Sequence, residues 1–121
     1  MTAAGERTKG SDRIIDAHVH VWTSDTEKYP LNPSVKEEDL WRPSFTPEQH
    51  YEYSRSVGKV RFNLVQMTWY GTDHSYILDL IAGDPDTFAG TGIVELSDPN
   101  PARRMEELFQ KGCYAFREPT D

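Results

Sequence analysis

Cysteine is almost absent from this chain: Cys113 is the only one among 121 residues. No disulfide can form within the chain, and a reducing compartment is expected. No apolar run approaches the ~20 residues of a membrane span. The segment from Met1 to Arg13 carries charges but lacks the apolar centre of a signal peptide. These absences predict a soluble cytoplasmic protein with no membrane partner.

Basic residues are also few, since 13 Lys and Arg stand against 20 Asp and Glu, giving a net charge of −7. Arg103 and Arg104 are the only adjacent basic pair, so no basic stripe exists to bind nucleic acid. A glycine-rich phosphate loop after the first apolar run is lacking too. Gly90-Thr91-Gly92 falls inside a predicted strand without a third glycine, which excludes a dinucleotide signature.

The most informative stretch is residues 14–22, which contains Asp16-Ala17-His18-Val19-His20. Residues two apart on a strand share a face, so Asp16, His18, His20 and Trp22 are expected on one face and apolar residues on the other. Two imidazoles at this spacing can bind one divalent ion. A structural or chance pair is the alternative, because the spacing alone is a weak signal. The sequence therefore predicts a metal-binding pair at the C-terminal end of a strand.

Strands and helices alternate along the rest of the chain. Residues 1–12 are polar and predicted to be a disordered tail, and 13–121 form one domain. The proline-containing connection 23–44 is predicted to pack as a cover over the mouth of the site. Strands are predicted at 14–22, 60–67, 90–96 and 113–117. Helices are predicted at 47–56, at 101–111 and between these after the turn at 71–73.

This alternation predicts a parallel sheet joined by right-handed crossovers, and both an open doubly wound sheet and a closed barrel fit it. The barrel is favoured because polar residues end each strand. His20 ends the first strand, and Gln66, Glu95 and Arg117 end the next three. Active sites of barrel enzymes lie at the C-terminal ends of the strands.

Residues Ile15–Trp22 resemble the opening strand of the amidohydrolase-related family, the metal-dependent hydrolases with a TIM-barrel fold. The resemblance extends through 65–66, 70–76, 88–90 and 93–94, and covers nearly all of 13–121. It is strongest to the branch of sugar-acid lactonases and the pyrone-dicarboxylate lactonase. It implies hydrolysis of the C–O bond of a carboxylated or sugar-derived lactone, a small-molecule substrate. A decarboxylase of the same fold is an alternative.

The resemblance also implies roles for individual residues. His18 and His20 would hold a divalent metal ion, with zinc expected, although some lactonase-like members work without metal and would use the two histidines on substrate directly. Asp16 would orient an imidazole or, alternatively, tie neighbouring strands. Arg117 would grip a substrate carboxylate or, alternatively, pair with Glu118.

Four further residues are candidates for contact with substrate. Gln66, Tyr70 and Trp22 are expected to line the pocket. His74 would either reach the substrate or lie exposed at a helix start. The fourth histidine of the chain, His50, is expected on the surface of a polar helix.

A complete barrel of eight βα units needs ~250 residues, whereas this sequence accounts for about the first four units. In the family, the remaining metal ligands and the general base come from later strands. The chain is therefore expected to be an N-terminal half, inactive alone and poorly stable as a monomer because both sheet edges are unpaired. A non-catalytic half-barrel that pairs with a complementing chain or a second copy is the remaining alternative.

Overall fold

The computed structural model describes residues 13–119, so the predicted disordered tail, residues 1–12, lies outside the described residues. Four parallel strands form one sheet in the order β1-β2-β3-β4. The strands are β1 (Arg13–Val19), β2 (Lys59–Val65), β3 (Phe88–Ile93) and β4 (Cys113–Arg117). The α-helices are α1 (Pro47–Ser54), α2 (Ser75–Gly83) and α3 (Pro101–Gln110). The predicted order and parallel pairing are confirmed as a mixed α/β fold, and closure into a barrel stays a prediction.

Two of the helices begin where local chemistry predicts. Thr46 caps α1 in a capping box with Gln49, and Pro47 occupies the first helical position. Asn100 caps α3 by accepting a hydrogen bond from the backbone N–H of Arg103 at 3.1 Å. Each cap satisfies backbone donors that the first turn of a helix leaves unpaired.

The core lies between the sheet and the helices. Leu64 in β2, Ile77 and Ile81 in α2, Leu108 in α3 and Cys113 in β4 are all buried. Close packing at β3 depends on glycine: a Cβ at position 90 would lie 2.8 Å from the Cys113 sulfur. Within residues 13–119, no helix has the length and apolar character needed to cross a membrane.

A bulge interrupts β1 between Asp16 and Val19. Asp16 pairs with Phe62 and Val19 pairs with Leu64, so β1 uses one residue more than β2 over this interval. Asp16 therefore lies on the helix-facing side with Phe62, while His18, next to Val19, lies on the opposite side. The prediction that Asp16 shares a face with the histidines is wrong, because regular alternation does not hold across a bulge. The side of the sheet that carries His18 is called the open face below.

Large side chains are exposed on both outer strands of the described sheet. Ile15 on β1 is 62% exposed, and Tyr114 on β4 is 64% exposed and contacts the ring of Phe109. Exposed apolar side chains at sheet edges favour association with other chains. The predicted tendency of the monomer to self-associate agrees with this exposure and stays a prediction.

Replacing Gly112 by alanine should destabilise the protein by about 2–4 kcal/mol. Gly112 has a φ of +106°, and a Cβ there would lie 2.7 Å from Cγ2 of Ile81. Gly83→Ala is the matched control, because the residue is helical and no other group lies within 4 Å of the position that a Cβ would take. Urea unfolding should place that variant within about 1 kcal/mol of the wild type. Equal stability of the two variants would contradict this packing of Gly112 against Ile81.

Candidate functional site

His18 and His20 approach each other at the C-terminal end of β1. Their Nε2 atoms are 3.1 Å apart, and their rings meet edge to face with centroids 4.8 Å apart. The Nδ1 of His20 lies 3.0 Å from the Val65 carbonyl oxygen, so Nδ1–H donates to that carbonyl. The lone pair of the His20 Nε2 then accepts a hydrogen bond from the Nε2–H of His18. Two nitrogens bound tetrahedrally to one zinc would be separated by ~3.3 Å. When His18 also carries its proton on Nδ1, the two Nε2 atoms have the donor type and the spacing that one divalent ion requires.

The fold explains why these two side chains converge. The bulge in β1 turns His18 to the open face, and His20 follows two residues later, just beyond the end of the strand. Val65 ends the neighbouring strand β2, which brings its carbonyl beside the His20 ring. A backbone carbonyl that accepts from the second ring nitrogen is a common way to orient a metal-binding histidine.

The surroundings of His20 favour its neutral form by lowering its pKa. Burial is the main cause that lowers its pKa below 6.5, and the hydrogen bond to Val65 opposes this effect. The positive charge of Arg117 lowers the pKa of His20 further. A neutral imidazole with a free Nε2 lone pair is the form that binds a metal ion.

Arg117 lies at the end of β4, in register with Ile93 of β3. Its Nε is buried and has no hydrogen-bond partner among the residues of the described structure. The ion pairs within 13–119 do not include one between Arg117 and Glu118, so that alternative is not borne out. Because the charge of Arg117 also lowers the pKa of His20, the guanidinium and the imidazole pair share one electrostatic environment.

His74 is buried rather than exposed. It precedes α2, is 5% exposed, and its Nε2 accepts the backbone N–H of Ile93 at 2.9 Å. The predicted exposed position is wrong, because the side chain turns inward and joins the start of α2 to β3. Contact with a substrate stays a prediction. Its pKa is lowered chiefly by burial.

Two predicted pocket residues instead stabilise the loops around the site. Gln66 is buried, and its Nε2 donates to the carbonyls of Gly71 and Asp73, whereas its Oε1 has no partner within 13–119. The Tyr70 hydroxyl accepts the backbone N–H of Thr23 at 3.0 Å. Their role in lining a substrate pocket stays a prediction.

Trp22, the third predicted pocket residue, is 4% exposed, and its indole N–H donates to the Arg42 carbonyl at 2.8 Å. Its backbone exchanges two hydrogen bonds with Phe45, which closes the long connection 23–44 against the end of β1. The connection packs on the core through Tyr29, Leu31 and Leu40. Trp22 therefore holds this connection in place and offers no free surface for substrate.

Among the described residues, the Asp16 carboxylate forms no hydrogen bond with the imidazole of His18 or His20. Its Oδ1 accepts the backbone N–H of His18 at 3.4 Å, a long contact that supports the bulge. Within 13–119, His, Cys, Asp and Glu side chains form no group of three that could hold a metal ion. The candidate metal centre thus offers two histidine side chains among the described residues.

A cavity of about 820 Å³ lies beside α2, with Lys28, Asp79 and Tyr114 among its lining residues. Neither histidine of the pair nor Arg117 lines it. The candidate site is instead the open face of the sheet at the C-terminal ends of the strands. An open face encloses no volume, which explains why the cavity lies elsewhere.

His50 contributes to the site although its sequence context gives no sign of this. It is half-buried in α1, stacks on Phe45, and lies 2.9 Å from the His20 carbonyl oxygen through its Nε2. The expectation of a surface position is wrong because α1 packs against the end of β1. The few apolar residues of α1 gave no signal of this contact.

No family model and no curated protein matches the chain. Among solved structures, it is similar to a Pseudomonas putida protein named as a 2-pyrone-4,6-dicarboxylic acid hydrolase, with a TM-score of 0.58 and 20% sequence identity. The match covers 82% of this chain and 34% of that chain, so this chain spans about a third of that protein's length. At this identity the similarity shows the fold alone: the described α/β unit shares the fold of part of that protein.

Proposed function

We propose that the chain contributes part of the active site of a metal-dependent hydrolase that opens the lactone ring of a carboxylated substrate. The observation that carries this proposal is the convergence of two Nε2 atoms at 3.1 Å, one of them on an imidazole whose other nitrogen donates to Val65. The hydrolase fold of the structural neighbour supports the same class of reaction.

His18 and His20 would hold a divalent ion, with zinc suited to two imidazole nitrogens. Such an ion polarises a carbonyl and lowers the pKa of bound water. The chain's own groups prepare the site: Val65 accepts the hydrogen bond of the His20 Nδ1–H, and burial lowers the pKa of the ring. The Arg117 guanidinium would bind a substrate carboxylate, since its planar donors match both carboxylate oxygens.

Two elements of the proposed reaction must come from outside residues 13–119. A catalytic zinc normally has three protein ligands, and a general base must accept a proton from the attacking water. The described residues supply two histidines and no third metal-binding side chain beside them. We therefore expect this chain alone to hydrolyse no lactone at ordinary enzyme rates of ~1–10³ per second.

A ligand-binding experiment tests the proposal without requiring the chain to hydrolyse the ligand. The zinc-loaded chain would be titrated with 2-pyrone-4,6-dicarboxylate and followed by ¹H–¹⁵N NMR, with unsubstituted 2-pyrone as the matched control ligand. We expect the dicarboxylate to shift signals of Arg117, His18 and His20, because the guanidinium recognises the carboxylate. The control ligand should shift none of them.

Arg117→Gln removes the charge while keeping a polar side chain at the end of β4. This variant should lose the response to the dicarboxylate and retain zinc binding. Equal responses of the wild type and the variant, or of the two ligands, would refute the proposed recognition of a carboxylated ring. A parallel assay for released CO₂ separates lactone hydrolysis from decarboxylation if any turnover is seen.

A further inference from the structure

His50 makes two distinct contacts from its position in α1. Its ring stacks on Phe45 with centroids 4.0 Å apart and planes only 7° from parallel. Its Nε2–H donates to the backbone carbonyl of His20 at 2.9 Å, across 30 residues of sequence. The stacking fixes the plane of the His50 ring, and the hydrogen bond fixes the direction in which its Nε2–H points.

The His20 carbonyl lies where the sheet no longer supplies a partner. The last paired residues of the β1–β2 ladder are Val19 and Leu64, so His20 follows the end of the ladder. A backbone carbonyl that loses its strand partner needs another donor when it is partly buried. His50 is that donor, and α1 thereby anchors the main chain of a candidate metal ligand.

Two contacts therefore hold His20, one at its main chain and one at its side chain. The His50 ring holds the main chain of His20, and the Val65 carbonyl holds its imidazole. Rotation about the bonds between these two points would move Nε2 away from His18. With both points fixed, the His20 Nε2 stays directed toward His18, whose Nε2 lies 3.1 Å away.

We propose that His50 is a positioning residue that keeps the His20 imidazole directed toward His18. This inference rests on the proposed metal-binding role of the pair, since its main consequence is for metal affinity. His50 itself contacts neither substrate nor metal in this arrangement, and it acts through the backbone of His20. Removing a group that orients a metal-binding histidine lowers metal affinity by roughly 10–100-fold.

Two replacements separate the hydrogen bond from the stacking. His50→Phe keeps an aromatic ring against Phe45 and removes the donor, whereas His50→Gln places an amide N–H near the position of Nε2. We expect cobalt(II) affinity, measured by calorimetry and visible absorption, to fall by about tenfold or more in His50→Phe. His50→Gln should remain close to the wild type, because the donor is restored.

A double-mutant cycle shows whether the effect passes through His20. In a His20→Ala background, adding His50→Phe should cause no further loss of cobalt affinity. An equal loss with and without His20 would overturn the inference, because it would indicate a general structural effect. Wild-type affinity in His50→Phe would overturn it as well.

A measurement on the metal-free protein distinguishes this inference from the proposed function. Side-chain ¹⁵N signals of His20 should report a single Nδ1–H tautomer in the wild type and in His50→Gln, and mixed tautomers in His50→Phe. This result together with no cobalt binding by the wild type would reject the metal site and retain the positioning role. A single tautomer in all three proteins would reject the positioning role.

Discussion

Replacing His18 and His20 together by alanine should abolish zinc binding to the metal-free protein. The two Nε2 atoms converge to 3.1 Å, so binding by one imidazole places the other at high effective concentration. Binding by two linked groups raises affinity roughly 10²–10⁴-fold over binding by one. Each single replacement should therefore weaken zinc binding by about 100-fold or more, and calorimetric titration measures this directly.

The control for this experiment is Asp86→Ala, which removes an exposed acidic group outside the candidate site. It should bind zinc like the wild type. His18 is exposed, so its replacement should leave the unfolding free energy nearly unchanged and a loss of binding could not be attributed to unfolding. Indistinguishable isotherms for the wild type and the two single variants would eliminate the metal pair.

Acidification should destabilise the fold through His74. The buried ring accepts the Ile93 N–H through Nε2, which only the neutral form can do. Its pKa is lowered first by burial and also by the charge of Arg104, while the contact with the Thr72 backbone and the charge of Asp73 oppose these effects. The folded state therefore binds a proton less readily than the unfolded state.

The sign of the pH dependence follows from linkage. The stabilisation by neutral His74 is complete above the ordinary histidine pKa of about 6.5 and is lost as the pH falls below it. One proton taken up only on unfolding gives a slope of roughly 1.4 kcal/mol per pH unit. His20 contributes in the same direction, because its pKa is lowered too.

Urea unfolding between pH 5 and pH 8 tests this dependence in the wild type, His74→Gln and His74→Leu. His74→Gln offers an amide oxygen to Ile93 and cannot titrate, so its stability should fall less below pH 6.5. His74→Leu should lose about 1–3 kcal/mol near pH 7, because the buried Ile93 N–H has no acceptor. An unchanged pH slope in both variants would show that His74 does not control acid stability. The same measurement on His20→Ala gives the contribution of His20.

The parts of this fold that the sequence predicts correctly are those determined by neighbouring residues. Residues 113–117 form a strand as predicted, and the helices predicted at 47–56 and 101–111 begin at Pro47 and Pro101. Alternating strands and helices also predict the parallel order, because each helical connection returns the chain to the same end of the sheet. These features follow from local hydrogen bonding and chain connectivity.

Several features of the candidate site depend on contacts that no local pattern contains. The bulge moves Asp16 to the other side of the sheet, and nothing in the alternation of residues 14–22 indicates it. His50 and His74 each bond a backbone group of a distant segment, at His20 and Ile93. The spacing of His18 and His20 predicted their proximity, because the two residues lie two apart at the end of one strand.

The bulge in β1 also determines how the chain should respond to changes in its length. It already absorbs one extra residue between Asp16 and Val19, so deleting Ala17 would restore an even ladder with Phe62 and Leu64 and leave His18 on its present side. An insertion between His18 and His20 would turn one imidazole to the opposite side. Tolerance to single-residue insertion and deletion should therefore change abruptly within a few positions of this strand.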